Sequence, residues 1–509
     1  MGLWNYYFLA KLYLYFRGFI RLDFILNILF VLLLIIPIPN KIRFRSSIKA
    51  ARFVIGLVIG LLLLWHDSWL PPLFDSMIFL NQQGIPSREY IYRFILGFFN
   101  PWEVAALTGI LFVCMLLQYR FRLTPLVIIL LLIVPIHEFG QPVGEIDRHV
   151  DAFYKSESAR IIRFEKSKKD NYDFDIVILH VCSLSWDDMK EAGLEDHPIF
   201  KQFDYLFTDF NSATSYSNPS AIRLLRANCG QQRHDALYND APKECNLLEG
   251  LRAEGYETYF TLNHDGIYGH FADEVRRLGH LDEPFLPKAL PVQAYSFDGT
   301  AIYDNYTQLE RIWKVRQESN SKKTAIYYNT ISLHDGAHWA EDKDWWKKDK
   351  RVVNYKEFAQ ELLGDITRLF DLLRSSGRDI VVLFVPEHGM ALRGSSIQAP
   401  GLRDIPLPQI TRVPVGIKLI RKGFPHAPVH QQIVTGTTSY LSLSYMLKVF
   451  LEENPFETDR LTTKEFTDKI PHTDFVAENQ GVQLTRKGTD WFLYGKEKQW
   501  IAVPANAIK

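Results

Sequence analysis

The sequence predicts two fold classes in one chain: an N-terminal α-helical transmembrane bundle, then an exported α/β domain with a mostly parallel sheet and helices on both faces. Three observations carry this. Up to about Glu138 the chain is dominated by apolar runs, and beyond it the composition is that of a mixed globular protein. From Asp175 on, β-branched apolar runs alternate with helical patterns, and continuous apolar runs mean strands buried on both faces. At 509 residues the chain is also too long for one simple core. The expected units are a transmembrane region at 1–139 with four to five helices, a charged helical linker at 140–172, and a globular domain at 173–509.

Four stretches, Leu22–Ile38, Phe53–Leu70, Trp102–Gln118 and Leu123–Ile136, approach the ~20 apolar residues that span a bilayer. Any one would pass as a buried helix of a soluble protein; four in succession argue against that. A fifth, Trp4–Ile20, carries Lys11 and Arg17 and either spans or lies in the interface. The basic loop Lys41–Arg52, and Arg120 with Arg122 before the last span, should be cytoplasmic. Pro71–Phe94, with a weaker basic bias, falls on the other side. The last span then exits outward and places residues from about 140 onward outside the cytoplasm. No cleavable signal pattern is present, so the first span serves as the export signal. Lys+Arg and Asp+Glu balance at 58 each, and no basic-aromatic patch suggests a nucleic-acid partner.

Of the four cysteines, Cys114 sits in a span and three lie in the exported part, where disulfides persist. Cys229 and Cys245 are close in sequence and flank a polar loop, so they are expected to pair, a closure worth roughly 3 kcal/mol. Pairing of Cys182 with either is the rival. Cys182 is then an odd thiol, which in an exported protein calls for a reason.

The strand-like runs are DIVIL (Asp175–Leu179), TAIYYNTIS (Thr324–Ser332), DIVVLFV (Asp379–Val385) and VPVGIKLI (Val413–Ile420). Helical patterns cover Ala221–Arg226, Glu357–Ser375 and Ser439–Leu451. Ligands of open α/β sheets collect at strand carboxyl ends. There stand Cys182 after the first run, His334 and His338 after the second, and Glu387 with His388 after the third. These are zinc's preferred ligand types. Alone, each is an ordinary core or turn residue; together at strand ends they point to a metal. In "NSATSYSNPSAIRLLRANCG", Pro219 suits the first position of a helix with Asn218 as its cap. Ser217 then sits just ahead of a helix amino terminus, which favours an anion such as phosphate. Beside a metal its hydroxyl becomes a nucleophile, with Ser215 and Ser220 as rivals.

This layout resembles the alkaline phosphatase superfamily. In its sulfatase branch the nucleophile stands two residues before a proline, which selects Ser217. With "CSLSWDD", "FNSATSYSNPSAIRLLRANCGQ", "LHDGAH" and "PEHGM", and with cysteine and serine where most relatives carry a carboxylate and threonine, the chain resembles the cellulose-modifying phosphoethanolamine transferases, the BcsG family, over nearly its whole length. The resemblance implies an alkaline phosphatase-like fold and one zinc held by Cys182, Ser217, Glu387 and His388. Tyr216, His338 and Arg403 match further catalytic positions. Arg403 is suited to pair with phosphate as a bidentate donor, and His338, or His334 in its place, to act as acid or base.

The implied reaction moves phosphoethanolamine from phosphatidylethanolamine to Ser217 and then to the 6-hydroxyl of cellulose glucose units. The implied setting is the bacterial inner membrane, multi-pass, with the catalytic domain in the periplasm beside other cellulose synthase complex subunits. Trp339, Trp345 and Trp346 follow His338 and could stack on sugar rings or simply pack. Transfer to another envelope glycan or lipid, including phosphoglycerol transfer, is the competing activity, and a mainly structural membrane subunit is the non-enzymatic alternative.

Overall fold

The apolar runs become the centre of one seven-stranded sheet. In the computed structural model, which describes residues 2–38, 44–68, 88, 92, 101–138, 143–164, 172–342, 351–423, 431–457, 460–495 and 499–508, β1 (Asp175–Val181), β2 (Tyr205–Asn211) and β3 (Glu257–Leu262) come first. They are followed by β4 (Val292–Tyr295), β5 (Ala301–Tyr303), β6 (Thr324–Thr330), β7 (His338–Trp339), β8 (Ile380–Pro386), β9 (Arg412–Ile420) and β10 (Gln432–Val434). The main sheet has the order β10-β2-β9-β8-β1-β6-β3. Every residue of β1, β6 and β8 is buried, as continuous apolar runs require.

Successive β1 side chains point to opposite faces. Ile176 and Ile178 join one core beneath the helices Ser217–Leu225 and Tyr440–Glu452. Val177 and Leu179 join the other, beneath Asn305–Glu318 and Arg351–Ser375. The mostly parallel expectation meets one exception: β9, the VPVGIKLI run, is antiparallel to both β8 and β2, so the sheet is mixed. An apolar run records burial but not direction.

Two smaller sheets were not foreseen. One, of order β5-β4-β7, lies against the His338 loop. The other is an antiparallel meander of β11 (Val476–Asn479), β12 (Val482–Lys487), β13 (Asp490–Tyr494) and β14 (Trp500–Ala502).

The amino-terminal helices are α1 (Trp4–Phe16), α2 (Phe24–Ile35), α3 (Arg45–Asp67), α4 (Pro101–Leu117) and α5 (Leu123–Glu138). By length and composition α3 alone among the described helices, with 23 residues and mean hydropathy 2.1, can cross a membrane; the other apolar helices are shorter. α3 starts at Arg45, so Arg45, Lys49 and Arg52 ride its first turns instead of a loop. The Pro71–Phe94 loop lies outside the described residues, apart from positions 88 and 92. α1 packs inward: Phe8, Lys11 and Leu12 are buried, and Trp4 lies against Gly56 and Gly60 of α3.

The expected linker contains α6 (Val143–Ser158). It is no free tether. Ile146, Val150, Phe153 and Tyr154 pack on Val476, Phe492 and Trp500 of the meander. Trp500 Nε1 donates to Asp147 at 2.7 Å, and Tyr154 Oη donates to Glu478 at 2.7 Å.

Candidate metal centre and nucleophile

The carboxyl ends of β1 and β8 are tied together by backbone bonds, from Glu387 N to Val181 O at 2.8 Å and from Leu184 N to His388 O at 2.7 Å. That tie brings Cys182 beside Glu387 and His388. Ser183, directly after the cysteine, turns the chain with φ +62°, a region that non-glycine residues seldom occupy.

Asp188 of the "SWDD" stretch then clamps the loop that follows Glu387 and His388. Its Oδ2 accepts from Met390 N at 2.6 Å and from Ser185 Oγ at 2.7 Å, and its Oδ1 accepts from Leu392 N at 2.9 Å. The clamp leaves no room at Gly389, where an added methyl would meet Asp188 Oδ2 and Ser185 Oγ at 2.5 Å. Asp187 pairs with Arg393. Burial, opposed by those amides and by Ser185, lifts the Asp188 carboxyl to about 6.

Cys182, Glu387 and His388 are fully buried, with ligand atoms within 4.8 Å of one another. Ser217 completes the set: its Oγ is 3.4 Å from Cys182 Sγ and 3.3 Å from His388 Nε2. Cys182 Sγ is 3.8 Å from His388 Nε2, and His388 Nε2 is 3.7 Å from Glu387 Oε2. Four donors at about 2.0–2.3 Å from one zinc, set tetrahedrally, stand roughly 3.3–3.8 Å apart. The donor atoms are also open for the task. His388 Nδ1 lies 2.8 Å from Gly389 O, which can only accept, so Nδ1 carries the proton and Nε2 presents its lone pair. Glu387 Oε2 is buried with no hydrogen-bond partner, which is costly unless a ligand claims it. The residues fit zinc.

Without a cation, burial disfavours the charged forms of all three groups. Burial, then the Glu387 carboxylate, pushes the Cys182 thiol up to about 12. Burial raises Glu387, against Ser217, Asn329 and Cys182, which face it. Burial, then Arg403, drives His388 well below the usual imidazole range. A divalent cation reverses the thiol and carboxyl shifts by favouring their charged forms.

Among the three serines, Ser217 is the one facing this group. Ser215 donates to Arg403 O and accepts from Asn479 Nδ2 at 2.6 Å. Ser220 lies 3.0 Å from Glu387 O and 2.7 Å from Tyr440 Oη. The helix begins at Ser217 itself, with Tyr216 as its N-cap and no side-chain cap. The expected Asn218 cap is therefore wrong: Asn218 Nδ2 is drawn away to Gly269 O and Glu274 at 2.9 and 2.6 Å.

Arg403 Nη1 stands 3.2 Å from His388 Nδ1, and its guanidinium lies 5.7 Å from the Tyr216 ring centre. Tyr216 Oη donates to Asp404 at 2.9 Å. His334 is stacked on Phe297 with ring centres 5.0 Å apart. Burial, then Arg403, lowers it to about 4, and its field reaches His388. His338 sits on β7, paired with Tyr295 of β4, with Nδ1 3.1 Å from Gly336 O. Trp339 has one ring face on Phe358 at 4.0 Å; Trp345 and Trp346 lie outside the described residues. Cys229 and Cys245 form the expected disulfide, and Cys182 is free.

Reading the sequence alone missed the contacts of Asp188 with Met390 and Leu392, and it missed the roles of Asn329 and Asn479. Each acts on a residue far away in the chain; only the "WDD" run hinted at the first.

The comparisons with known proteins span the same two halves. The family described as "Cellulose biosynthesis protein BcsG N-terminal domain" matches residues 4–136, and the corresponding C-terminal domain matches 139–500. "Cellulose biosynthesis protein BcsG" of Escherichia coli (strain K12) is 32% identical over 549 residues, covering 96% of this chain and 96% of that protein. The protein of the same name from Salmonella typhimurium is similar to the same extent. Among solved structures, the zinc complex of the C-terminal periplasmic domain of EptC from Escherichia coli is 12% identical with TM-score 0.44, covering 69% of this chain and 99% of that one. A protein of the alkaline phosphatase superfamily from Vibrio parahaemolyticus has the same identity and score, covering 70% and 87%. Likeness at such scores is partial. With both halves matched, and 32% identity held over 96% of the relatives, this chain belongs to the BcsG family of cellulose biosynthesis proteins.

Proposed function

We propose that the protein is a zinc-dependent transferase that moves phosphoethanolamine from phosphatidylethanolamine to the 6-hydroxyls of cellulose glucose units in the periplasm. The observation that carries it is the convergence of Cys182, Ser217, Glu387 and His388 at 3.3–3.8 Å beside Arg403. Zinc held there would favour the deprotonated serine oxygen and neutralise charge on the phosphoryl group.

The chain's own residues do the rest. Arg403 holds the phosphate oxygens. The Ser217 Oγ–P bond forms as the P–O bond to diacylglycerol breaks, and the serine proton passes through His334 to the departing oxygen. In the second half the acceptor oxygen bonds to phosphorus, the P–Oγ bond breaks, and the acceptor's proton returns to Ser217. We assign the shuttle to His334, which feels the Arg403 charge and in turn acts on His388; His338 is the alternative that the resemblance offers for the same role.

The amino-terminal region is read as a multi-pass anchor in the inner membrane, beside other cellulose synthase subunits. The outward-facing Ile25, Leu29, Leu32, Val58 and Leu61 support this. Such a tether holds the site near a lipid donor.

The test is mass analysis of cellulose from cells lacking the protein and complemented with wild type or Ser217→Ala. Phosphoethanolamine is expected on the polymer with wild type alone, together with a phosphoethanolamine adduct on wild-type Ser217. Modification with Ser217→Ala, or an adduct on another serine, contradicts the proposal.

A further inference from the structure

Three strand ends, taken in sheet order, carry one hydrogen-bond chain to the metal centre. His264 follows β3, Asn329 is the penultimate residue of β6, and Glu387 follows β8. Polarity along the chain is fixed from its far end. Gly266 N–H donates to His264 Nδ1 at 3.1 Å, so that nitrogen bears the lone pair. His264 Nε2 therefore carries the proton and donates to Asn329 Oδ1 at 3.1 Å. With its oxygen so engaged, Asn329 turns its Nδ2 toward Glu387 Oε1, at 2.5 Å. Glu387 Oε2 is left buried and without a partner, on the side of His388 Nε2. All three residues are buried, His264 at 5% exposure and the other two at 0%.

We propose that Asn329 and His264 are positioning residues that decide which oxygen of Glu387 is offered to the metal. This rests on the metal centre proposed above. A carboxylate in a buried site can rotate or bind through both oxygens. A donor locked onto Oε1 holds the carboxylate plane and reserves Oε2 as the single ligand. His264 contributes by denying the Asn329 amide its flipped orientation, in which Oδ1 would face Glu387 and repel it. Groups that orient a ligand in this way are typically worth about 10- to 100-fold in metal affinity.

The test uses the full-length protein in detergent, stripped of metal and titrated with zinc against a chromophoric chelator. The cobalt(II) absorption spectrum is recorded in parallel, because it reports coordination and not turnover. Cys182→Ala serves as the comparison. Asn329→Leu should weaken zinc binding about 10- to 100-fold and alter the cobalt spectrum. His264→Leu should weaken it in the same direction, and His264→Gln, whose amide N–H replaces Nε2–H, should recover most of the loss. A packing role alone would lower the melting temperature of the metal-free protein and leave affinity within about twofold of wild type; that result overturns the proposal. If Asn329→Leu does not fold, the two His264 variants decide, and wild-type affinity in both overturns it. If Cys182→Ala loses zinc while Asn329→Leu keeps it, this inference fails alone. If Cys182→Ala binds as wild type does, the metal centre fails and takes the inference with it.

Discussion

Asn479 does for the nucleophile loop what Asn329 does for the carboxylate. Its Oδ1 accepts from Thr214 Oγ1 at 2.9 Å and Ser215 N at 3.2 Å. Its Nδ2 donates to Ser215 Oγ at 2.6 Å, Asp404 O at 2.9 Å and Arg403 O at 3.1 Å. One amide from β11 thus fixes the segment before Ser217 and the backbone that presents Arg403. Asn479→Leu keeps the volume and orphans buried groups at about 1–3 kcal/mol each. Transfer should fall about 100-fold, the cost of an ångström-scale misplacement. Zinc content should persist, since Cys182, Glu387 and His388 are untouched; parallel activity and metal assays check both. The candidate metal cluster could be read from the sequence because a thiol, a carboxylate and an imidazole fall together at strand ends. The two asparagines could not, because a strand-end amide looks like any turn residue and its partner is set by sheet order. Asn329 lies 58 residues from Glu387, and Asn479 lies 264 from Ser215.

At the scale of elements, three helices of the amino-terminal region meet on charge. Lys11 of α1 pairs with Asp67 at the end of α3, and both are about 1% exposed. Asn27 of α2 accepts from Lys11 Nζ at 2.8 Å and donates to Asp67 at 2.7 Å. Lys11→Met would strand a buried carboxylate at a cost of about 3–5 kcal/mol. Lys11→Met with Asp67→Leu should recover most of it, because removing both charges removes the desolvation debt. Thermal unfolding in detergent of wild type, both singles and the double measures this; a double no better than the worse single contradicts it. β1, β6, β8 and β9 were readable because burial on both faces makes them largely apolar. YLFTDFN and ETYFTL, which form β2 and β3, mix polar residues into partly exposed strands, and they were passed over.

The molecule as a whole should be sensitive to acid. Burial, then Arg223, lowers His234 to about 4 from 6.5. Burial also lowers His264. Both fold with imidazoles that bind protons more weakly than in the unfolded chain. The stability of the neutral form is therefore complete above about pH 6.5 and is lost as pH falls toward the folded values, by roughly 1.4 kcal/mol per pH unit for His234, while Asp188, lifted to about 6, offsets part of the loss below that pH. Denaturant midpoints of the metal-free protein should drop from about pH 7 to pH 5. His234→Gln should flatten that slope by one proton; an unchanged slope refutes the assignment. The change in hydropathy near Glu138 falls where one family match ends, at 136, and the other begins, at 139. The meander and its docked helix were not legible in the sequence, since the charges of α6 suggest a solvated tether and its apolar stripe finds its partner only at the far end of the chain.

The docking of α6 on the meander has a consequence for exchanging parts between relatives. β11 carries both Glu478, which holds α6 through Tyr154, and Asn479, which holds the loop before Ser217. The seam for a chimera therefore lies ahead of Val143, so that helix and globular domain travel as one cassette. A graft joined after Ser158 would pair a foreign helix with Val476, Phe492 and Trp500, and forfeit about 1.5–3 kcal/mol for each large apolar side chain left unburied. Two chimeras that differ only in that joint should differ in yield of folded protein and in transfer, although every catalytic residue is identical in both.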